Sequence, residues 1–160
     1  MKRMWSPWRM KYIDQPGENN GCFFCEAAAN PQDPQQLVVH DGSRAFVIVN
    51  RYPYASGHIM VVPKEHISSL AGMEPDVLQE LIALLAKAQS VLQAVYQPEG
   101  FNIGANLGAA AGAGVPGHFH FHIVPRWVGD TNFMSTLGET RVLPEEVAET
   151  HRRLQQAWYS

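Results

Sequence analysis

Cysteine is nearly absent from the 160 residues: Cys22 and Cys25, spaced C-x-x-C, are the whole supply. Two thiols build no disulfide framework, so the cytoplasm is the expected compartment. No apolar run reaches the ~20 residues that a membrane span needs. The basic residues Lys2, Arg3, Arg9 and Lys11 are followed by no apolar run of signal length, so neither a membrane anchor nor a secretory leader is expected. An excess of positive charge is missing too. Twelve Lys and Arg against 15 Asp and Glu leave a formal charge of −3, which gives no basic field for a nucleic-acid backbone. A small anion remains possible as a ligand, since it needs only a local donor site. With no repeats and no dividing linker, the chain reads as one domain over 1–160, with 1–20 as an N-terminal arm and 128–160 as a C-terminal extension.

What is present centres on Gly117-His118-Phe119-His120-Phe121-His122-Ile123-Val124-Pro125. Alternate side chains of a strand point to opposite faces. His118, His120 and His122 therefore share one face, roughly 6–7 Å apart at the Cα. Phe119, Phe121 and Ile123 take the other face and anchor the strand, which Pro125 is expected to limit. Burying three histidines inertly would leave six ring nitrogens to satisfy. The pattern instead fits a phosphate site with a histidine nucleophile or acid/base, or a metal shared by His at i and i+2. The Gly/Ala-rich run from Gly104 to Gly117 lies just upstream. Such a loop lets backbone approach a ligand and offers N–H groups to anions.

Gly21-Cys22-Phe23-Phe24-Cys25 leads into a short helix expected at Glu26–Ala29. C-x-x-C reads as half of a structural zinc site, a redox pair, or two unligated thiols. No apolar strand precedes it as in a redox strand–helix unit, which favours zinc. His66 is either a third ligand or an exposed loop histidine. Leu37–Asp41, Ala45–Asn50 and His58–Pro63 are short, β-branched and bounded by turn residues, so they read as strands of an antiparallel meander. Asn50, at a strand end, either faces a pocket or serves the turn. A fourth strand is expected from Phe101 to Leu107. The longest helix runs from Pro75 to Tyr96, with Pro75 and Asp76 suited to its first turn. Val77, Leu78, Leu81, Ile82, Leu84, Leu85, Val91, Leu92 and Val95 make an apolar surface broader than one sheet contact needs, which points to a dimer. A last helix is expected at Pro144–Trp158, with His151 as a packing residue. Trp5 and Trp8 are expected to pin the N-terminal arm to the body, the alternative being an arm placed near a ligand or a partner subunit.

His118-Phe119-His120-Phe121-His122-Ile123-Val124 resembles the signature of the histidine-triad (HIT) superfamily. Val49-Asn50-Arg51-Tyr52-Pro53, Gly57-His58 and Val62-Pro63-Lys64-Glu65-His66 are similar to that family's nucleoside-binding strand pair. Asn106-Leu107-Gly108 with Ala111-Gly112 is similar to its phosphate loop. Trp5-Ser6-Pro7-Trp8-Arg9 and Pro125–Met134 resemble a bacterial, diadenosine-tetraphosphate phosphorylase-like branch.

The resemblance implies an α+β fold: a five-stranded antiparallel sheet with a long helix and a C-terminal helix, paired as a homodimer through the long helix. It implies that His120 attacks the α-phosphorus of an adenine nucleotide, forming a nucleotidyl-histidine. His122 would hold the phosphate or the leaving group, and His118 would support from one side. Asn50 would bind the ribose hydroxyls; Asn106 and the loop with Gly112 and Gly114 would hold the α-phosphate. In zinc-containing members the matching ligands are Cys22, Cys25, His66 and His118; magnesium would only accompany the polyphosphate. Ala113 stands where many fragile-histidine-triad hydrolases carry Gln, and the loop is one residue longer, so one phosphate contact of those enzymes is missing. The third histidine is kept as His122, unlike the Gln of the transferase branch. The acceptor is left open between water and phosphate. Two rivals stand beside this reading: a nucleotide sensor without turnover, and an enzyme with zinc on the triad itself.

Overall fold

The computed structural model describes residues 21–130 and 145–160. The N-terminal arm, the loop residues Thr131–Met134 and the expected helix start at Pro144 lie outside the described residues.

The element order is α1 (Phe23–Ala29), β1 (Val38–Asp41), β2 (Ala45–Val49), β3 (Ile59–Pro63), α2 (Pro75–Tyr96), β4 (Gly100–Gly104), β5 (Phe121–Arg126) and α3 (Val147–Trp158). The strands form one antiparallel sheet in the order β1-β2-β3-β5-β4, the expected α+β architecture. The meander β1-β2-β3 places β3 beside β5, so the turn between β2 and β3 opens next to the histidine strand.

The sheet is covered on both sides. On one face Ala45, Val47, Val49, Ile59, Val61, Phe119 and Ile123 pack against α2 and α3. On the other, Val38, Phe46, Ile48, Met60 and Val62 pack against Phe24 and Ala27 of α1. Two-sided burial explains why β2 and β3 read as continuous apolar runs rather than alternating ones. Phe119 and Ile123 are buried, each contributing about 1.5–3 kcal/mol. That burial holds the alternate positions, the histidines, on the α1 face.

Helix α2 has the expected bounds. Pro75 opens it and Gln97, in the left-handed region at φ 48°, ends it before Pro98. Its apolar breadth has an internal explanation: α3 packs on it as well as the sheet, and of the apolar positions named above Ile82 is the exposed one. Helix α3 is fixed to β1 by His151, whose Nε2 donates to the Val38 carbonyl at 2.8 Å.

Three expectations need correction. The ladder of β5 begins at Phe121, so His118 and His120 lie on its approach. The strand runs through Pro125 to Arg126 instead of stopping at proline. Pairing with β3 ends at Ile123, and beyond it β5 has only β4 as neighbour, a place where proline is tolerated. Helix α1 starts at Phe23, not Glu26, because Cys22 takes the N-cap position.

Candidate active site

Asn50, Arg51, Tyr52 and Tyr54 of the β2–β3 turn, His120 and His122 of the histidine strand, Phe23 and Phe24 of α1, and Gly112, Gly114 and Val115 of the glycine loop surround a cleft of about 260 Å³, floored by Met60. Of the residues expected here from the sequence, Asn50, His120, His122, Gly112 and Gly114 line the cleft, whereas His118 and Asn106 do not. Arg51, Tyr52 and His58 belonged to the resemblance without a role of their own, and the two phenylalanines, Tyr54 and Val115 were not expected.

Each imidazole has one nitrogen fixed by a neighbour, which settles where its hydrogen sits. His120 Nδ1 donates to the carbonyl of His118 at 2.9 Å. In the neutral ring Nε2 is then the nitrogen with the lone pair. Burial lowers the His120 pKa from its ordinary value, with the His118 carbonyl opposing; the neutral form is therefore favoured at neutral pH.

His122 is set through His58. The Tyr54 amide donates to His58 Nδ1 at 3.1 Å, so the hydrogen of neutral His58 is on Nε2. That Nε2 lies 3.0 Å from His122 Nδ1, which accepts. His122 consequently carries its hydrogen on Nε2, the form that donates to an oxygen. His58 is buried, and the turn before it requires glycine: Gly57 has φ 79°, and a Cβ there would lie 3.0–3.1 Å from Tyr96 and Leu92 of α2. The Gly57-His58 pair is visible in the sequence; its link to His122 is tertiary.

Asn50 shapes the turn, its Oδ1 accepting from the Tyr52 amide at 2.8 Å, while its Nδ2 lies 3.4 Å from His58 Nε2. Asn106 stands off the cleft wall and donates to the Gly112 carbonyl at 3.4 Å, bracing the loop. Within the loop the amides of Ala111, Gly112 and Ala113 already donate to Gly108 and Ala109 carbonyls. The loop residues that line the cleft are Gly112, Gly114 and Val115, and of these the Gly112 amide is already engaged in the turn.

His118 faces away from the cleft. Its Nε2 donates to the Pro63 carbonyl at 2.8 Å, leaving Nδ1 with the lone pair, 3.2 Å from Cys22 Sγ and 3.6 Å from Cys25 Sγ. His66 Nδ1 lies 3.3 Å from Cys25 Sγ. All four donor atoms lie within 4.8 Å of one another. A tetrahedral zinc with bonds of ~2.3 Å to sulfur and ~2.05 Å to nitrogen would set S···N edges of about 3.5 Å, so the donor set and its spacing fit such an ion. The second nitrogen of His118, bonded to a backbone carbonyl, is the usual support for a metal-bound imidazole. Burial and the adjacent Cys22 thiol push the Cys25 thiol up, a cost that a bound cation would offset.

An α+β sheet carrying three alternating histidines, two at a cleft with an asparagine turn and a glycine loop, defines a histidine-triad domain. The HIT domain model matches residues 30–128, and the chain belongs to that family. It is 36% identical to the AP-4-A phosphorylase of Mycobacterium tuberculosis, over 99% of this chain and 85% of that protein. The asymmetrical bis(5'-nucleosyl)-tetraphosphatase of Schizosaccharomyces pombe is 38% identical over 55% of this chain and 47% of its own length. Among solved structures, a Zn-bound histidine triad family protein from Mycobacterium smegmatis superposes with a TM-score of 0.69 at 26% identity, covering 87% of this chain and 94% of that one. Among the described residues no helix is long and apolar enough to cross a membrane.

Proposed function

We propose that this chain cleaves a dinucleoside polyphosphate, with an adenine base, at the α-phosphate by transfer through His120. The observation that carries the reading is the 2.9 Å bond from His120 Nδ1 to the His118 carbonyl, which directs the nucleophilic lone pair to Nε2 at the cleft. In the first step Nε2 bonds to the α-phosphorus and the bond to the leaving nucleotide breaks. The leaving phosphate oxygen departs with the electron pair of that bond, as an anion, while His122 Nε2 donates a hydrogen bond to it, and His58 holds His122 in that tautomer. In the second step the acceptor oxygen bonds to the same phosphorus and the bond from phosphorus to His120 Nε2 breaks, returning neutral His120 with its lone pair; the proton of a water acceptor leaves to solvent. Asn50 binds the ribose, and Gly112 and Gly114 line the phosphate end, with Asn106 bracing the loop.

The near full-length likeness to an AP-4-A phosphorylase favours inorganic phosphate over water as acceptor. Phosphate would yield a nucleoside diphosphate from the transferred group, and water a monophosphate. The test is a panel of dinucleoside polyphosphates, each incubated with and without phosphate and analysed for both products. Absence of both products with every substrate would leave the sensor reading in place of this one.

Zinc is proposed at Cys22, Cys25, His66 and His118, where it would tie α1 to the histidine strand. Two observations support it: the fit of the donor set, and a zinc-bound relative with the same fold. Zinc on the triad itself is disfavoured, because His122 carries its hydrogen on Nε2 and His118 turns its lone pair to the thiols, so that of the three only His120 turns a lone pair to the cleft. Magnesium, if used, would arrive with the polyphosphate. Paired thiols poised for a cation favour the cytoplasm. A homodimer is proposed through the exposed Ile82 side of α2; light scattering of Ile82→Glu should show a monomer where the unaltered chain shows a dimer.

A further inference from the structure

Helix α1 belongs to both sites at once. It is seven residues long, too short to be stable alone, and it lies before the segment that the family model matches. Its Cys22 and Cys25 point into the metal cluster, while Phe23 and Phe24 between them form a wall of the cleft. The buried Phe24 ring stands edge-on to His118, 5.3 Å between centroids, and 4.9 Å from the His120 ring. Phe23 lies under the Arg51 guanidinium at 5.1 Å, so the same helix end also holds Arg51, the one arginine on the cleft wall among the described residues. A metal shared by Cys22, Cys25, His66 and His118 would fix α1 on the histidine strand and, through Phe24, fix the His120 ring against the cleft.

We propose that Phe24 is a positioning residue that makes metal binding at the cluster and nucleotide binding in the cleft mutually reinforcing. Each ligand requires α1 seated on the sheet. Whichever binds first has already paid for that ordering, so the second binds more tightly. Linkage then requires the two effects to be equal: the factor by which nucleotide tightens the metal is the factor by which the metal tightens nucleotide. Phe24 acts on the chemistry only through His120. This inference rests on the zinc and nucleotide readings above, and its test separates failure of either from its own.

The full chain is stripped of metal with a chelator, and zinc and AMP serve as probes. Zinc affinity is measured by competition with a chromophoric chelator, with and without saturating AMP. AMP affinity is measured by calorimetry, with and without zinc. AMP should tighten zinc about tenfold and zinc should tighten AMP by the same factor, within the usual range of allosteric coupling. Phe24→Leu keeps all four metal donors and an apolar side chain but removes the ring. It should still bind zinc, with both factors falling to near one. If that variant fails to fold, the reciprocal pair measured on the unaltered chain decides. Zinc and AMP that both bind without affecting each other overturn the proposal and leave both parent readings standing. Full coupling retained in Phe24→Leu overturns the role of Phe24. A chain that binds no zinc, or no AMP, overturns the proposal together with the zinc or the nucleotide reading, and the separate titrations show which.

Discussion

His118 and His122 stand four residues apart on one face of the chain, yet their surroundings present them in opposite ways. His118 is enclosed: its Nε2 donates to the Pro63 carbonyl and its Nδ1 faces two thiols, so its lone pair points at a cation site. His122 is half-buried at the cleft, its Nδ1 accepts from His58, and its hydrogen points toward an oxygen. Between them His120 uses the backbone of one neighbour to present a lone pair at the cleft. Three copies of one side chain are thus set up differently, matching the three roles proposed for them: metal ligand, nucleophile and donor. The residue type sets the range of possible chemistry, and the partner of one ring nitrogen selects from it.

The comparison can be broken most severely at its centre. His120→Ala should reduce turnover by roughly 10³-fold or more, because a covalent nucleophile has no substitute in the cleft. AMP binding by calorimetry should change little. Removing the donor side is the next largest loss: His122→Ala should slow turnover about 10²-fold, the range for one lost hydrogen-bond donor to the transition state. The leaving group matters here. A substrate analogue with a phenolate leaving group of low pKa needs little stabilisation of its departing oxygen and should recover most of that loss. His58→Ala should cost less, about tenfold, close to the worth of one hydrogen bond that fixes a tautomer.

The metal side is expected to respond in stability rather than in rate of the chemical step. Cys22→Ser should lose the zinc, near one per chain by elemental analysis in the unaltered protein. At zinc concentrations about 1,000 times Kd the bound ion adds about 4 kcal/mol. For a chain of this length that corresponds to a fall in Tm of roughly 8–16 °C, measured by calorimetry with and without chelator. An unaltered chain whose Tm ignores the chelator would remove the cation from the comparison.

Much of this arrangement is legible in the amino-acid sequence. The alternation of His118, His120 and His122 with Phe119, Phe121 and Ile123 fixes faces because a strand has period two, and the buried phenylalanine and isoleucine bear it out. Pro75 and the apolar period mark the bounds of α2. The grouping of Cys22 and Cys25 with His66 and His118 follows from the family resemblance, and the fold brings their donor atoms together. What local pattern hides depends on contacts between distant segments. The tautomers need the His118 carbonyl, Pro63 and Tyr54 in place. The part of His58 needs the β2–β3 turn laid beside β5. Phe23 and Phe24 read as an apolar pair between cysteines until α1 is seen to cover the second face of the sheet. The breadth of α2 is taken up largely by α3, which no local pattern in α2 could reveal. The glycine loop is recognisable from its composition, but which amides it keeps for its own turn is not.

The central claim is that His120 receives the nucleotidyl group before the acceptor does. A dinucleoside polyphosphate carrying an α-phosphorothioate of single configuration tests it directly. Each in-line displacement inverts the phosphorus, so two in succession return it to its starting configuration. The account predicts a product with net retention at the α-phosphorus. Net inversion would mean that the acceptor attacks the substrate in one step, with His120 never bonded to phosphorus, and would contradict it.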